Sequence, residues 1–156
     1  MRTVGVVAAV LTLVPLAGAR AASELPYVPR NNPGRVQSVV DDFRTRLGMP
    51  HEVTVAVVPT NVLLASVEAI PDRKGAFLLS FEDGFLDDLD DQDLGAVVAH
   101  ELGHVWIFTH HPYLQTERLA NQIAMRLVSR DSLRRIYGKV WEHRGTKGDL
   151  TRFMGE

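Results

Sequence analysis

The stretch that most restricts this chain is Leu94-Gly95-Ala96-Val97-Val98-Ala99-His100-Glu101-Leu102-Gly103-His104-Val105-Trp106. Its apolar residues recur at helical spacing, interrupted by ionisable groups only at 100, 101 and 104. A helix carrying Leu94, Val97, Val98, Leu102 and Val105 belongs in a core, where unpaired imidazoles and a carboxylate would be costly. Residues i and i+4 stand one turn apart on the same helix face, so His100 and His104 can aim two imidazoles at one cation. That donor pair suits tetrahedral zinc. Glu101 is one step round from His100, placed to reach a water beside the cation without joining the ligands. Gly103 costs a helix about 1 kcal/mol relative to alanine, which makes sense where another segment must approach closely.

A third protein ligand is needed, and two residues compete for the place. His110 lies six residues after His104, the spacing of the pattern H-E-x-x-H-x-x-G-x-x-H. Where that pattern has its turning glycine this chain has Ile107, and Val105-Trp106-Ile107-Phe108 reads as helix that carries His110 away. Glu117 comes thirteen residues after His104 and opens Glu117-Arg118-Leu119-Ala120-Asn121. A short link containing Pro112 lets a second helix return antiparallel, with Glu117 in its first turn facing the histidines. Ala120 is small enough for close packing. Asn121 shares the face of Glu117 and can hydrogen-bond the outer nitrogen of a liganding histidine. Glu117 is therefore the expected third ligand, with His110 as the alternative.

The rest of the chain narrows the choices around this site. Its 156 residues suit one domain with its own core. With a net charge of −2 and no basic block, no nucleic-acid partner is expected. The absence of cysteine excludes disulfides, cysteine-based zinc sites and thiol nucleophiles. At the start, Arg2 precedes an uncharged run over 4–19 that ends in Ala19-Arg20-Ala21. This is the layout of a secretory signal peptide, and Pro15 suits a signal better than a membrane span. Residues 1–21 are read as that signal, with retention as an anchor the alternative. The mature chain is then secreted or periplasmic, with no membrane partner after cleavage.

Residues 22–34, with Pro26, Pro29 and Pro33, read as an extended lead-in. Val36, Val39, Val40, Phe43 and Leu47 predict a helix over 35–47, stopped by Gly48 and Pro50. Strands are expected over 53–58 and 76–81, with a weaker one over 62–70. The acidic run over 87–93 lacks the spacing of a calcium loop. It reads instead as the cap and first turn of the histidine-bearing helix, over 91–108. A second long helix is expected from 115 or 116 to 129, or further past Asp131. Residues 145–156 read as an unstructured tail, or else as a segment lying in the cleft with Asp149 or Glu156 near the metal. The domain proper spans 35–144. A helix, three strands and two long helices make an α+β fold, a small and mostly antiparallel sheet packed on the metal-site helices.

"VVAHELGHV" followed by "ERLAN" resembles the gluzincin metallopeptidases, whose pattern is H-E-x-x-H with a downstream E-x-x-A-D or E-x-x-A-N. The run over 76–105 is similar to the catalytic core of the prenyl-protein endopeptidase and HtpX family. The likeness covers 35–130 and is specific over 76–125. The gap between the motifs is shorter than is usual there, and Asn121 replaces the common aspartate. The short gap is closer to the compact minigluzincins and to ImmA/IrrE-type peptidases. The resemblance implies a zinc endopeptidase with one Zn2+ on His100, His104 and Glu117. Glu101 would take a proton from the attacking water and pass it to the leaving amine. Tyr137 or His143 would supply a further donor to the oxyanion. A peptide or protein substrate would add as an extended strand along Ala76-Phe77-Leu78-Leu79-Ser80. The rival reading is a zinc-binding interaction module without catalysis, against which the intact Glu101 argues.

Overall fold

A computed structural model describes residues 31–155, so the signal-peptide reading and most of the lead-in lie outside the described residues. Helix α1 runs Pro33–Leu47. Asn32 caps it by accepting from the Gly34 amide at 2.7 Å, and Pro33 sits where a missing N–H costs nothing. The helix therefore begins inside what the sequence suggests is lead-in.

Three strands follow, β1 (Glu52–Val58), β2 (Ala65–Ala69) and β3 (Ala76–Glu82). They lie in the order β1-β3-β2. β2 and β3 form an antiparallel hairpin with Val67 opposite Leu79. β1 pairs with the other side of β3 in parallel, Val55 opposite the same Leu79. The sheet is thus mixed rather than mostly antiparallel. Ala76 to Ser80 is also not an edge, because neighbours on both sides use its backbone groups. The edge beside α3 is β2, whose Glu68 is the kind of charge that edges carry. Glu82 N donates to Leu64 O at 2.8 Å and Ile70 N to Ala76 O at 2.9 Å. Since backbone direction alternates along a strand, Leu64, Ser66, Glu68 and Ile70 face β3, and Ala65, Val67 and Ala69 present their N–H and C=O groups to the open side.

The acidic link folds into a short helix α2 (Asp83–Asp87) that buries Phe85 and Leu86. Helix α3 spans Asp91–His110, and Asp90 caps it by accepting from the Asp93 amide at 2.8 Å. The acidic run is the expected cap and first turn. A 3-10 turn (Pro112–Leu114) leads to α4 (Glu117–Ala124) and α5 (Arg130–His143). The long second helix expected over these residues is in fact two. Ser129 starts α5 by accepting from the Ser132 amide at 3.1 Å. A serine cap offers the backbone a partner outside the helix and so competes with its continuation.

Residues 145–155 are not a free tail. They carry a last helix, α6 (Leu150–Met154), with Met154 only 2% exposed. Asp149 caps this helix by accepting from the Thr151 amide at 2.9 Å and is not among the metal-ligating side chains that converge; Glu156 lies outside the described residues. The core gathers Val36 and Val40 of α1, Phe77, Leu79 and Phe81 of β3, and Leu94, Val98 and Leu102 of α3. Helix α3 packs against α1, β2, α4 and α5, so it is buried on most sides. No helix among the described residues is long and apolar enough to cross a membrane.

Candidate active site

Helix α4 meets α3 at Gly103. A Cβ there would stand 3.0 Å from the carbonyl carbon and the Cα of Ala120, and closer still to its oxygen. Backbone therefore rests on backbone, as the glycine suggests. Thr116 caps α4 by accepting from the Leu119 amide at 3.2 Å, which sets Glu117 in the first turn. From there its carboxylate reaches both histidines. His100 Nε2 lies 3.1 Å from Glu117 Oε2, and His104 Nε2 lies 3.5 Å from Oε1. The two Nε2 atoms are 3.2 Å apart, and one donor atom from each residue falls within 4.8 Å of the others. Among the described residues no other group of His, Cys, Asp and Glu side chains converges in this way.

The outer ring nitrogens decide what these histidines can bind. His100 Nδ1 lies 2.8 Å from Asn121 Oδ1. Asn121 also donates through Nδ2 to the Phe153 carbonyl at 3.0 Å, and a carbonyl can only accept, so the amide orientation is fixed. His104 Nδ1 lies 3.1 Å from Gln115 Oε1, while Gln115 Nε2 donates to the His104 carbonyl at 3.1 Å. Both amides present oxygen to a ring nitrogen. Each neutral imidazole therefore carries its proton on Nδ1 and leaves the Nε2 lone pair facing Glu117. Two neutral imidazoles and a carboxylate form a donor set that fits zinc with a position to spare.

The electrostatics call for positive charge at the same point. When either ring is protonated its Nε2–H donates to Glu117, and these hydrogen bonds from His100 and His104 hold the Glu117 carboxyl far below the usual carboxylate range, against burial. Burial pulls His104 down, but its hydrogen bond to Glu117 and the charge of Glu101 outweigh that and leave it raised. Glu101 is 8% exposed, and burial raises its carboxyl despite the histidines and a hydrogen bond from the Val67 backbone. A carboxylate pushed toward its protonated form suits a group that must take up a proton. Tyr137 donates to Glu117 Oε2 at 3.3 Å and accepts from Asn121 Nδ2 at 2.9 Å. Burial raises its phenol far above the ordinary range, so it remains a donor.

These groups open into a cleft of about 620 Å³. One wall is β2 from Ala65 to Ala69, and the other is α5 with Leu133, Ile136, Tyr137, Val140 and Trp141. Two candidates from the sequence are elsewhere. Helix α3 continues through His110, and at roughly 100° per residue six residues turn its side chain well away from His104. Its ring stacks on Trp106 at 4.2 Å instead. His143 sits between Glu82 and Asp88, 3.8 and 3.6 Å away, and is not part of the cleft lining. Three contributors escape sequence reasoning: Gln115, the β2 edge and Phe153. A lone glutamine before a cap carries no pattern, and an edge is a property of the assembled sheet.

Comparison with known proteins agrees with this geometry. The crystal structure of the metallopeptidase zymogen of Pyrococcus abyssi abylysin superposes with a TM-score of 0.52 and 14% identity, covering 73% of this chain and 99% of that one. At that identity the likeness speaks for the fold, a compact α+β metallopeptidase fold. No curated protein matches the sequence. The sequence model of peptidase family M48 matches residues 30–154. That span takes in every element from α1 to α6, and the chain accordingly belongs to peptidase family M48 and is a metallopeptidase.

Proposed function

We propose that this protein is a zinc-dependent endopeptidase that works outside the cytoplasm. The observation that carries the reading is the meeting of His100, His104 and Glu117 beside buried Glu101, under an open strand edge. His100 and His104 would hold the ion through Nε2 and Glu117 through its carboxylate. When bound, zinc supplies Lewis acidity, activating water near neutral pH and polarising a carbonyl oxygen. An extended peptide would pair with the outward N–H and C=O groups of Ala65 and Ala69 and the Val67 carbonyl, the Val67 N–H being engaged by Glu101, and such pairing reads backbone shape more than side chains. Glu101 takes the proton of the attacking water as the new C–O bond forms, then delivers it to the amine nitrogen, so that the peptide C–N bond breaks as the carbonyl re-forms. Tyr137, kept protonated, donates to the developing oxyanion. The apolar walls exclude water around the scissile bond. The location rests on Arg2, the uncharged run over 4–19 and Ala19-Arg20-Ala21.

The test is zinc content and cleavage of an unfolded protein substrate by the mature chain and its Glu101→Gln variant. Equimolar zinc in both, with cleavage at least about 100-fold slower in the variant, is expected. Cleavage unchanged in the variant would remove Glu101 from the chemistry, and no zinc in either would end the zinc reading.

A further inference from the structure

The C-terminal helix approaches the metal centre through one hydrogen bond whose direction matters. Asn121 is fully buried and has three polar neighbours: His100 Nδ1, the Tyr137 hydroxyl and the Phe153 carbonyl. Two of them adapt to whatever the amide offers. A phenol donates or accepts, and an imidazole changes tautomer. If the amide turned over, its NH2 would face His100 Nδ1, and the ring proton would move to Nε2. That proton would then point at the position a metal must take. Only the Phe153 carbonyl cannot adapt, because an amide oxygen turned toward it would set two acceptors face to face.

We infer that α6 is a working part of the metal centre: the Phe153 carbonyl holds the Asn121 amide in the one orientation that leaves His100 Nε2 free for zinc, the ligation being that proposed above. The helix is docked firmly enough for the task. Phe153 stacks on Tyr137 with ring centroids 5.3 Å apart, and the Arg130 guanidinium donates to the Met154 carbonyl at 3.2 Å. The approach to α6 crosses Trp141 at Gly148, where a Cβ would overlap the indole. The asparagine at this position then has a reason. A carboxylate accepts through either oxygen and needs no orienting, but it would repel the Phe153 carbonyl. Asparagine depends on the docked helix and aspartate conflicts with it.

The test uses four full-length proteins: unmodified, Phe153→Ala, Asn121→Asp and the double variant. Zinc affinity is measured by chelator competition, and hydrogen exchange of the α6 amides is followed in the metal-free state. Losing the Phe153 ring loosens α6, so Phe153→Ala should weaken zinc binding about tenfold or more where Asn121 is present. In the Asn121→Asp background, where orientation is irrelevant, it should change binding less than about twofold. Asn121→Asp alone should speed exchange in α6. Equal weakening in both backgrounds would reduce Phe153 to packing and overturn the inference, as would no weakening in either. Unchanged α6 exchange in Asn121→Asp would overturn it too. That last measurement needs no metal, so it still decides the matter if the unmodified protein takes up no zinc.

Discussion

Burial raises the Glu101 carboxyl because α3, β2 and the cleft walls keep water from its charged form. An unfolded chain loses that proton near the ordinary glutamate pKa of about 4.3, whereas the metal-free folded chain keeps it to higher pH. Between the two values folding takes up a proton, so stability from this group falls as pH rises and stays reduced above the folded value. Glu101→Gln should therefore leave metal-free stability unchanged near pH 3 (about one unit below the free value) and raise it at neutral pH. Urea midpoints at the two pH values check this, and equal shifts at both would contradict the buried carboxylate. Gln115 makes a second prediction at this scale. Gln115→Leu removes the acceptor on His104 Nδ1 and should weaken zinc binding about tenfold or more. Gln115→Glu keeps that acceptor and should bind nearly as the unmodified chain does. Equal zinc affinity in all three would make Gln115 a bystander. The His100, Glu101 and His104 roles are legible from spacing, since a helix face is a local property. That of Gln115 is not, because its partner lies across a turn and carries no periodic signal.

At the scale of elements, the meeting of α3 and α4 depends on Gly103. Helix propensity alone favours alanine there by about 1 kcal/mol. The backbone of Ala120 stands in the way of any Cβ, and backbone yields less readily than a side chain. Overpacking of this kind costs typically about 1–3 kcal/mol. Gly103→Ala should therefore be destabilising by up to about 2 kcal/mol net, and should weaken metal binding because Glu117 and Asn121 ride on α4. Denaturation and metal titration of the variant check both, and a more stable variant would refute the contact. Strands and helices are legible where apolar periodicity is strong, as in α1, β1, β3 and α3. The break between α4 and α5 is less so, because Ser129 suits a helix interior poorly but not prohibitively. Edge and centre are exchanged in the sequence reading for another reason. Pairing of β1 in parallel with β3 is a non-local event, and only that event pushes β2 to the cleft.

Across the whole molecule, α3 is tied to α5 by a buried charge. Asp93 is fully buried, with Arg135 Nε and Lys139 Nζ each 2.7 Å from its carboxylate. Both cations are partly exposed, so removing one strands the carboxylate more than removing the carboxylate strands them. Lys139→Met should cost about 3 kcal/mol, measured by urea denaturation, and Asp93→Leu should cost less. The reverse order would show that the cations, not Asp93, bear the desolvation. The same docking of α5 carries Tyr137 to the metal centre, and α6 follows it. By itself the sequence determined the α+β composition, the paired histidines with Glu101, and Glu117 with Asn121 on one helix face. Those follow from repeats of a few residues, which local backbone geometry converts directly into direction. Tertiary structure alone decided that His110 and His143 stay away and that β2, not β3, borders the cleft. It also decided that Gln115 and the Phe153 carbonyl orient the histidines, because each of these depends on segments brought together by packing rather than on spacing along the chain.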